Sequence, residues 1–298
     1  MKQTRRKFLQ SSGLIGAAVL SGSSFTGCSG TSSVRVNGHL WIYASKFPPD
    51  WDSTPVLDQV FSDFKYAGIE GVELMEVNLR HEDAVSHIGA LTERYDLPVT
   101  GSSYSADMWD PAQHQKILED VELVVDCLHQ LGGKNFGITV GNARRKKTEA
   151  DLDAQADVLN GVLKICGDYE ILPNMHNHTF EVLDDLHDLK GTISRVPDLK
   201  LGPDLNWLIR GGVDPVDFIR TYGNKIVYMH IRDQHENGKW TEYVGEGVTD
   251  FSAIAKVIKE IDFKGEVAIE LASDVPPENA MKENWKKSRE YVGRVFEW

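Results

Sequence analysis

The feature that most constrains the fold of this 298-residue chain is a regular alternation of short apolar runs with longer segments of helical spacing. Eight such strand–helix units follow one another between residue 36 and residue 298, with no linker or shift in composition between them. Strands that alternate with helices indicate a parallel sheet, and eight units of this size favour closure of that sheet. The sequence therefore predicts an α/β fold, a single (β/α)8 TIM barrel with parallel strands, over residues 36–298.

The predicted strands are apolar runs that end at a turn or at the start of a helical pattern. They span residues 39–43, 69–75, 97–104, 136–140, 172–177, 199–205, 226–231 and 267–271. The predicted helices include residues 84–95, 111–131, 150–169, 183–196, 215–222, 251–261 and 278–296. A doubly wound open sheet is the alternative, but no Gly-x-Gly-x-x-Gly sequence follows the first strand. We therefore prefer the barrel.

The first 35 residues read as a targeting segment and a tether, separate from the barrel. Residues 4–10, TRRKFLQ, resemble a twin-arginine export signal, and a mild apolar run follows at residues 13–20. Cys28 ends a loose lipobox, so we expect residues 1–28 to be a signal peptide with a lipid anchor at Cys28; a free cysteine in a discarded leader is the alternative. Residues 29–35 read as a flexible tether. The protein is therefore expected to be exported, as a periplasmic protein or a membrane-anchored lipoprotein.

The formal net charge is -13 at pH 7. Such an acidic chain argues against a nucleic-acid partner, because DNA and RNA binding depends on Lys and Arg contacts to phosphate. The charge is compatible with a neutral sugar or glycoside as the small-molecule partner.

Metal-capable side chains stand at the ends of predicted strands five to eight, where barrel enzymes carry their chemistry. They are His176, His178, Asp204, His230 and Glu270. Each has an ordinary structural interpretation: Asp204 as a cap for the next turn, for example, or Glu270 as the partner of a base. Imidazoles and carboxylates that meet at one mouth instead suit one divalent metal ion, Mn, Zn, Fe or Co.

An ordered set of short motifs extends from the fifth strand to the last. The motifs are MHNHTFE (175–181), GPDLNW (202–207), GGVDPVDFI (211–219), HIRD (230–233), GEGVTDF (245–251) and AIEL (268–271). With them the chain resembles the xylose-isomerase-like TIM barrels described as sugar phosphate isomerases/epimerases, from residue 36 to residue 298.

The resemblance implies one divalent cation held by Glu, Asp, His and Glu side chains from strands five to eight. Asp204, His230 and Glu270 match the last three positions, whereas His176 stands where many relatives have Glu. We therefore assign His176 as the fourth metal ligand and His178 as a substrate or acid–base group. The reverse assignment of the two histidines stays open.

The expected reaction is isomerisation or epimerisation of a sugar or keto-sugar through proton abstraction and a metal-stabilised enediolate. Glu270 is the expected base. Because the strand-five Glu is missing, His178 or Glu181 is expected to serve where a second base is needed. Expulsion of a β-leaving group from a 3-keto-glycoside, which would make the protein a lyase or hydratase, is one alternative. A non-catalytic carbohydrate-binding surface lipoprotein is another.

Further polar and aromatic residues at the predicted strand ends are expected to contact the sugar. They are Glu73, Glu76, Trp207, Arg232 and Asp233. Since side chains alternate along a strand, one of Glu73 and Glu76 faces the barrel interior, and the sequence leaves open which one. A polar insertion at residues 234–244 carries an Asn-Gly hairpin signal and is expected to form a lid or a contact in a homo-oligomer.

Overall fold

The structure is a computed structural model that describes residues 34–298. Its eight strands are β1 (Val36–His39), β2 (Val72–Met75), β3 (Val99–Ser105), β4 (Asn135–Thr139), β5 (Leu172–Met175), β6 (Lys200–Leu201), β7 (Tyr228–Ile231) and β8 (Glu266–Glu270). Its helices are α1 (Trp41–Ala44), α2 (Leu57–Ala67), α3 (Glu76–Leu79), α4 (Ala84–Tyr95), α5 (His114–Gln130), α6 (Glu149–Asp168), α7 (Thr179–Arg195), α8 (Leu205–Arg210), α9 (Pro215–Tyr222), α10 (Phe251–Glu260) and α11 (Met281–Phe296).

The strands form one sheet in the order β6-β5-β4-β3-β2-β1-β8-β7, and every adjacent pair is parallel. The two ends of this sheet meet through parallel bridges between Leu201 and Ile226 and between Asp204 and His230. The sheet is therefore a nearly closed barrel with helices between its strands. This confirms the predicted (β/α)8 fold and excludes the open sheet.

The core between barrel and helices is dominated by large side chains that are fully buried. Phe64 of α2 packs edge-on against Trp285 of α11, with ring centroids 4.5 Å apart. A Cβ atom at Gly38 of β1 would lie 2.6 Å from Phe64 Cε2, so the absence of a side chain there lets the Phe64 ring pack directly on β1. The helical layer thereby holds β1, and with it the loop that follows β1, at a fixed position.

Several element boundaries differ from the sequence prediction, and three of the differences change the local structure. The first strand ends at His39, and residues 41–44, predicted as strand, form the helix α1. The sixth strand is two residues long, because Asp204 already caps α8. The seventh helix starts at Thr179 and is broken at Leu183–Leu186, where three consecutive residues have positive φ. The first two differences determine how Trp41 and Asp204 are presented at the barrel mouth.

The predicted signal peptide and the Cys28 lipidation site lie outside the described residues. Within residues 34–298, every helix is too short or too polar to cross a bilayer.

Candidate metal centre and sugar-binding cavity

A cavity of about 370 Å³ opens at the carboxyl ends of the strands, the end of the barrel that the sequence analysis singled out. Its lining side chains include His176 and His178 after β5, His230 and Arg232 from β7 and the loop after it, and Glu270 of β8. The cavity is thus built from the residues predicted to carry the chemistry, together with others that the sequence did not indicate.

Three of the four predicted metal ligands converge at the base of this cavity. His176, Asp204 and His230 each offer one ligand atom, and these atoms all lie within 4.8 Å of one another. Parallel pairing positions two of them: the His176 N–H donates to Ile138 O and the His230 N–H donates to Pro203 O, both at 2.9 Å. Two imidazole nitrogens and one carboxylate oxygen form a donor set suited to Mn, Fe, Co or Zn.

One ligand atom of the cluster is buried without any polar partner. His176 Nδ1 makes no hydrogen bond and no ionic contact, whereas His230 Nδ1 and Asp204 Oδ2 lie 2.8 Å from Glu270 Oε2 and Arg232 Nε. An unpartnered buried polar group costs about 1–3 kcal/mol, and folded proteins keep few of them. A divalent cation shared with Asp204 and His230 would give His176 its missing partner.

His230 is oriented by a buried carboxylate behind it. Its Nε2 lies 2.8 Å from Glu73 Oε2, which also accepts a hydrogen bond from the Tyr228 hydroxyl at 2.9 Å. This contact places a proton on Nε2 and leaves Nδ1 facing the cluster, the arrangement that carboxylates impose on metal-binding histidines. Glu73 therefore faces the barrel interior and supports His230; it lies outside the described cavity lining, and its role as a sugar contact stays a prediction.

Opposing effects set the protonation of His230. Burial lowers the pKa of His230, but the Glu73 and Glu270 carboxylates more than compensate and raise it to about 10. Since a ligand nitrogen must give up its proton to bind a metal, cation binding here would displace the proton from Nδ1.

Arg232 bridges the two carboxylates that were predicted as ligands. Its Nε lies 2.8 Å from Asp204 Oδ2, and its Nη2 contacts Glu270 Oε1. Glu270 Oε2 lies 2.8 Å from His230 Nδ1, so this carboxylate adjoins the three-residue cluster without belonging to it. Burial opposes ionisation of Glu270, but Arg232 and His39 hold its pKa well below the usual value. Glu270 is therefore an ionised carboxylate in the cavity.

His178 lines the cavity beside the cluster and lies outside it. Its ring stacks on Phe180, with centroids 5.4 Å apart and an interplanar angle of 8°, and lies 5.5 Å from Trp207. Burial is the main cause that lowers the pKa of His178 to about 4. A neutral imidazole in this position is able to accept a proton at neutral pH.

Two predicted site residues have structural roles away from the cavity lining. Both oxygens of the fully buried Glu181 accept backbone N–H groups, from Val140 at 3.2 Å and from His178 at 2.6 Å. Glu181 therefore joins the ends of β4 and β5, and its role as a base stays a prediction. Asp233 accepts four backbone N–H groups, from Gln234, Gly245, Gly247 and Thr249. It organises the loop after β7, and its role as a sugar contact stays a prediction.

Tryptophan rings form a rim of the cavity, and most of them were not predicted as site residues from the sequence. Trp207 was predicted, but Trp41, Trp51 and Trp240 also line the cavity. Trp41 and Trp51 follow β1, with ring centroids 5.5 Å apart, and Trp51 is 38% exposed. The sequence does place Trp51 and Trp240 after predicted strands, and that position could have indicated the rim. Such flat, amphipathic rings are well suited to stack on sugar rings.

The insertion at residues 234–244 forms a wall of the cavity. Gln234 and Trp240 form an antiparallel bridge around Gly238, as the Asn-Gly signal predicted. The Trp240 ring packs edge-on against Trp207 at 5.2 Å, and the Arg210 guanidinium lies 3.3 Å from the Trp240 ring centroid. These contacts and the Asp233 hydrogen bonds hold the insertion against the cavity, and its predicted role as a lid or a contact in a homo-oligomer stays a prediction.

Glu242 is a second anchor of this wall and allows a stability test. Its carboxylate accepts four N–H groups, from the Glu278 and Asn279 backbones and from the Asn279 and Asn284 side chains. Burial pushes the pKa of Glu242 up, but these donors outweigh it and lower the pKa to about 2. A depressed folded-state pKa stabilises the fold above the unfolded-state value and loses this effect as pH falls through the window down to about 2.

We therefore expect Glu242→Gln to lower the free energy of unfolding by about 1–2 kcal/mol at pH 7, with a smaller loss at pH 4. Urea denaturation at both pH values measures this difference. Glu236→Gln, an exposed change in the same loop, is the matched control and should leave stability unchanged at both. An equal loss for Glu242→Gln at both pH values would contradict the assigned role.

Comparisons with known proteins agree with this architecture. Residues 61–291 match the family model described as xylose isomerase-like TIM barrel. An inosose dehydratase of Geobacillus kaustophilus is 24% identical over 273 residues, covering 80% of this chain and 87% of that protein.

Among solved structures, a D-allulose 3-epimerase from Methylomonas sp., in complex with D-allulose, superposes with a TM-score of 0.71 at 17% identity. The match covers 88% of this chain and 97% of that one. A 3-keto-D-glucoside 4-epimerase from E. coli superposes with a TM-score of 0.68 at 15% identity, covering 89% of this chain and 100% of the other.

Proposed function

Because the chain belongs to the xylose isomerase-like TIM barrel family, we propose that it is a divalent-metal-dependent isomerase or epimerase of a sugar or keto-sugar. The observation that carries this proposal is the cluster of ligand atoms on His176, Asp204 and His230, with His176 Nδ1 buried and unpartnered, at the base of a cavity rimmed by tryptophans. The D-allulose complex of the epimerase from Methylomonas sp. supports a sugar as the ligand.

His176, Asp204 and His230 would hold the cation, with Glu270 beside them as the proposed fourth ligand. A divalent ion held there, Mn, Zn, Fe or Co, would supply a Lewis acid for a substrate carbonyl and for the negative charge that develops when the adjacent carbon loses its proton. Glu73 keeps His230 in the required tautomer. The protein's contribution is thus a fixed and partly dehydrated donor set.

The remaining cavity residues would bind and orient the sugar. Trp207 and Trp240 supply one aromatic wall, and Trp41 and Trp51 supply a second. Arg232 is the one Lys or Arg among the described residues that line the cavity, and it already contacts Asp204 and Glu270. A site with so little free positive charge favours an unphosphorylated sugar, which fits the export route proposed from residues 1–28.

Proton transfer is assigned to Glu270. Its ionised carboxylate lines the cavity and would remove the proton from the carbon next to the carbonyl, giving an enediolate. His178, neutral and also in the lining, is the second candidate for this step.

A lyase is the second candidate function, and two observations favour it. His176 lies in the ligand cluster where many relatives of the family have Glu, so the second carboxylate of a two-base epimerase is missing from strand five. The inosose dehydratase relative is a protein named for elimination of water. In this alternative the same deprotonated substrate expels a β-leaving group, as from a 3-keto-glycoside.

Product analysis separates these functions. The purified protein, loaded with Mn²⁺ or Zn²⁺, is incubated with D-allulose and with methyl 3-keto-β-D-glucoside, and the products are identified by NMR. A stereoisomer or an aldose–ketose pair supports the isomerase or epimerase, whereas release of methanol supports the lyase. Sugar binding without turnover would instead favour the carbohydrate-binding lipoprotein and would refute both enzyme functions.

A further inference from the structure

Glu76 lines the cavity, but the reaction proposed above gives it no chemical role. It is the first residue of α3, directly after β2, and its side chain lines the cavity together with Trp41, Trp51 and Tyr104. Among the described lining residues, Glu76 and Glu270 carry the two carboxyl groups. Because β2 lies across the barrel from β6, Glu76 lines the cavity on the side of the barrel opposite Asp204.

The ionic contact of Glu76 is long. Arg80, on the next turn, has its Nη2 3.9 Å from Glu76 Oε1. The same guanidinium makes its short contacts with Asp120, donating from Nε at 2.9 Å and from Nη2 at 2.7 Å. Asp120 is held in turn by the Tyr104 hydroxyl at 2.9 Å. Glu76 is therefore the distant member of this ion-pair group, whereas Glu270 closely contacts both Arg232 and His230.

Burial also favours the protonated form of Glu76. It raises the pKa of Glu76 above its usual value, and Arg80 offsets this only in part. The protonated carboxyl group is the form that donates a proton, so the surroundings of Glu76 support the role that its place in the cavity allows.

We propose that Glu76 is the general acid that completes the reaction, delivering a proton to the substrate from the side opposite the ligand cluster. This inference rests on the proposed function, in which Glu270 removes the proton on carbon. In an epimerase the Glu76 proton goes to the same carbon on its other face. In a lyase, the bond from the β-carbon to the leaving oxygen breaks with its electron pair on that oxygen, which takes the proton from Glu76.

Either step leaves Glu76 ionised and Glu270 protonated, and exchange with water restores both. The assignment supplies a second proton-transfer group beside Glu270, on the opposite side of the barrel from the ligand Asp204. It also explains why a carboxyl group lies among aromatic rings on the side of the cavity farthest from Asp204.

The test measures proton abstraction and product formation separately, in D₂O, with D-allulose and methyl 3-keto-β-D-glucoside as probes. We expect Glu76→Gln to retain deuterium incorporation next to the carbonyl at the wild-type rate while product formation falls by about 100-fold or more. The matched control is Glu82→Gln, an exposed change six residues along the chain, which should leave both rates unchanged.

A second variant tests the role by rescue. Glu76→Ala leaves space for a small acid, so added formate should restore product formation in this variant and have no effect on the wild type. Equal losses of exchange and product in Glu76→Gln, or no loss in either, would overturn the proposal for Glu76 alone. If the metal-loaded wild type incorporates no deuterium, the proposed function itself fails, and the role of Glu76 fails with it.

Discussion

Asp204→Asn is expected to remove the bound cation and to lower turnover by more than about 100-fold. Losses of up to about 100-fold are typical when the mutated residue only supports a metal ligand, so a larger loss indicates a ligand itself. The change takes the negative charge from the carboxylate that meets His176 and His230 in the ligand cluster and that contacts Arg232 through Oδ2. It keeps the Oδ1 acceptor that caps α8 through the Asn206 and Trp207 N–H groups, at 2.9 and 3.0 Å. Asparagine is itself a good N-cap, so α8 should remain folded.

The control for Asp204 is a second aspartate with the same local structure and no contact with the cavity. Asp214 caps α9 by accepting the Val216 and Asp217 N–H groups at 2.7 and 3.1 Å, and it is exposed. Asp214→Asn should retain the full metal content and activity. Elemental analysis after loading with Mn²⁺ or Zn²⁺ and dialysis measures the difference. Full metal occupancy in Asp204→Asn would remove Asp204 from the ligand set.

Glu270→Gln is expected to abolish deuterium exchange at the carbon next to the substrate carbonyl, a loss of about 100- to 10,000-fold. Glutamine fills the same space beside Arg232 and His230 but does not accept a proton at neutral pH. Incorporation of deuterium into D-allulose and methyl 3-keto-β-D-glucoside, followed by NMR, reads the proton transfer directly, whichever product forms.

Glu266→Gln is the matched control for Glu270, since it lies four residues earlier on the same face of β8 at the opposite end of the barrel. Its carboxylate accepts from Asn37 Nδ2 at 2.9 Å and contacts Arg35 at 3.4 Å, far from the sugar cavity. Exchange should be unchanged in this variant, with at most a modest loss of stability. If Glu270→Gln still exchanges at the control rate, Glu270 is not the base and His178→Asn becomes the variant that should stop exchange.

The barrel was predictable because its determinants are local and repeated. Apolar runs such as residues 226–231 alternate with amphipathic segments such as residues 251–261, and that rhythm alone indicates parallel strands with helices between them. The first strand was predicted at the wrong residues, because apolar character alone does not distinguish a strand from a short helix. Ile42 and Tyr43 belong to the helix α1 and are buried there, as strand residues would be.

The candidate site was predictable in position more than in detail. Parallel strands bring their carboxyl ends together, so His176, Asp204 and His230 were expected to meet, and the structure places them in one cluster. The partners of individual carboxylates depend on loops distant in sequence. Asp233 accepts N–H groups from as far along the chain as Thr249, and Glu181 from Val140, which no motif indicates. The aromatic rim was missed because Trp51 and Trp240 reach the cavity through irregular loops.

The proposal that proton abstraction from the sugar needs a bound divalent metal ion has a direct test. Deuterium exchange into a keto-sugar is measured before and after the metal is removed. The protein is treated with EDTA, dialysed and assayed in D₂O with D-allulose and methyl 3-keto-β-D-glucoside, then assayed again with Mn²⁺, Zn²⁺, Fe²⁺ or Co²⁺ restored. We predict that exchange next to the carbonyl stops on chelation and returns with at least one of these ions. Two results would contradict the proposal: exchange at an undiminished rate in the chelated protein, or the absence of exchange with every one of the four ions.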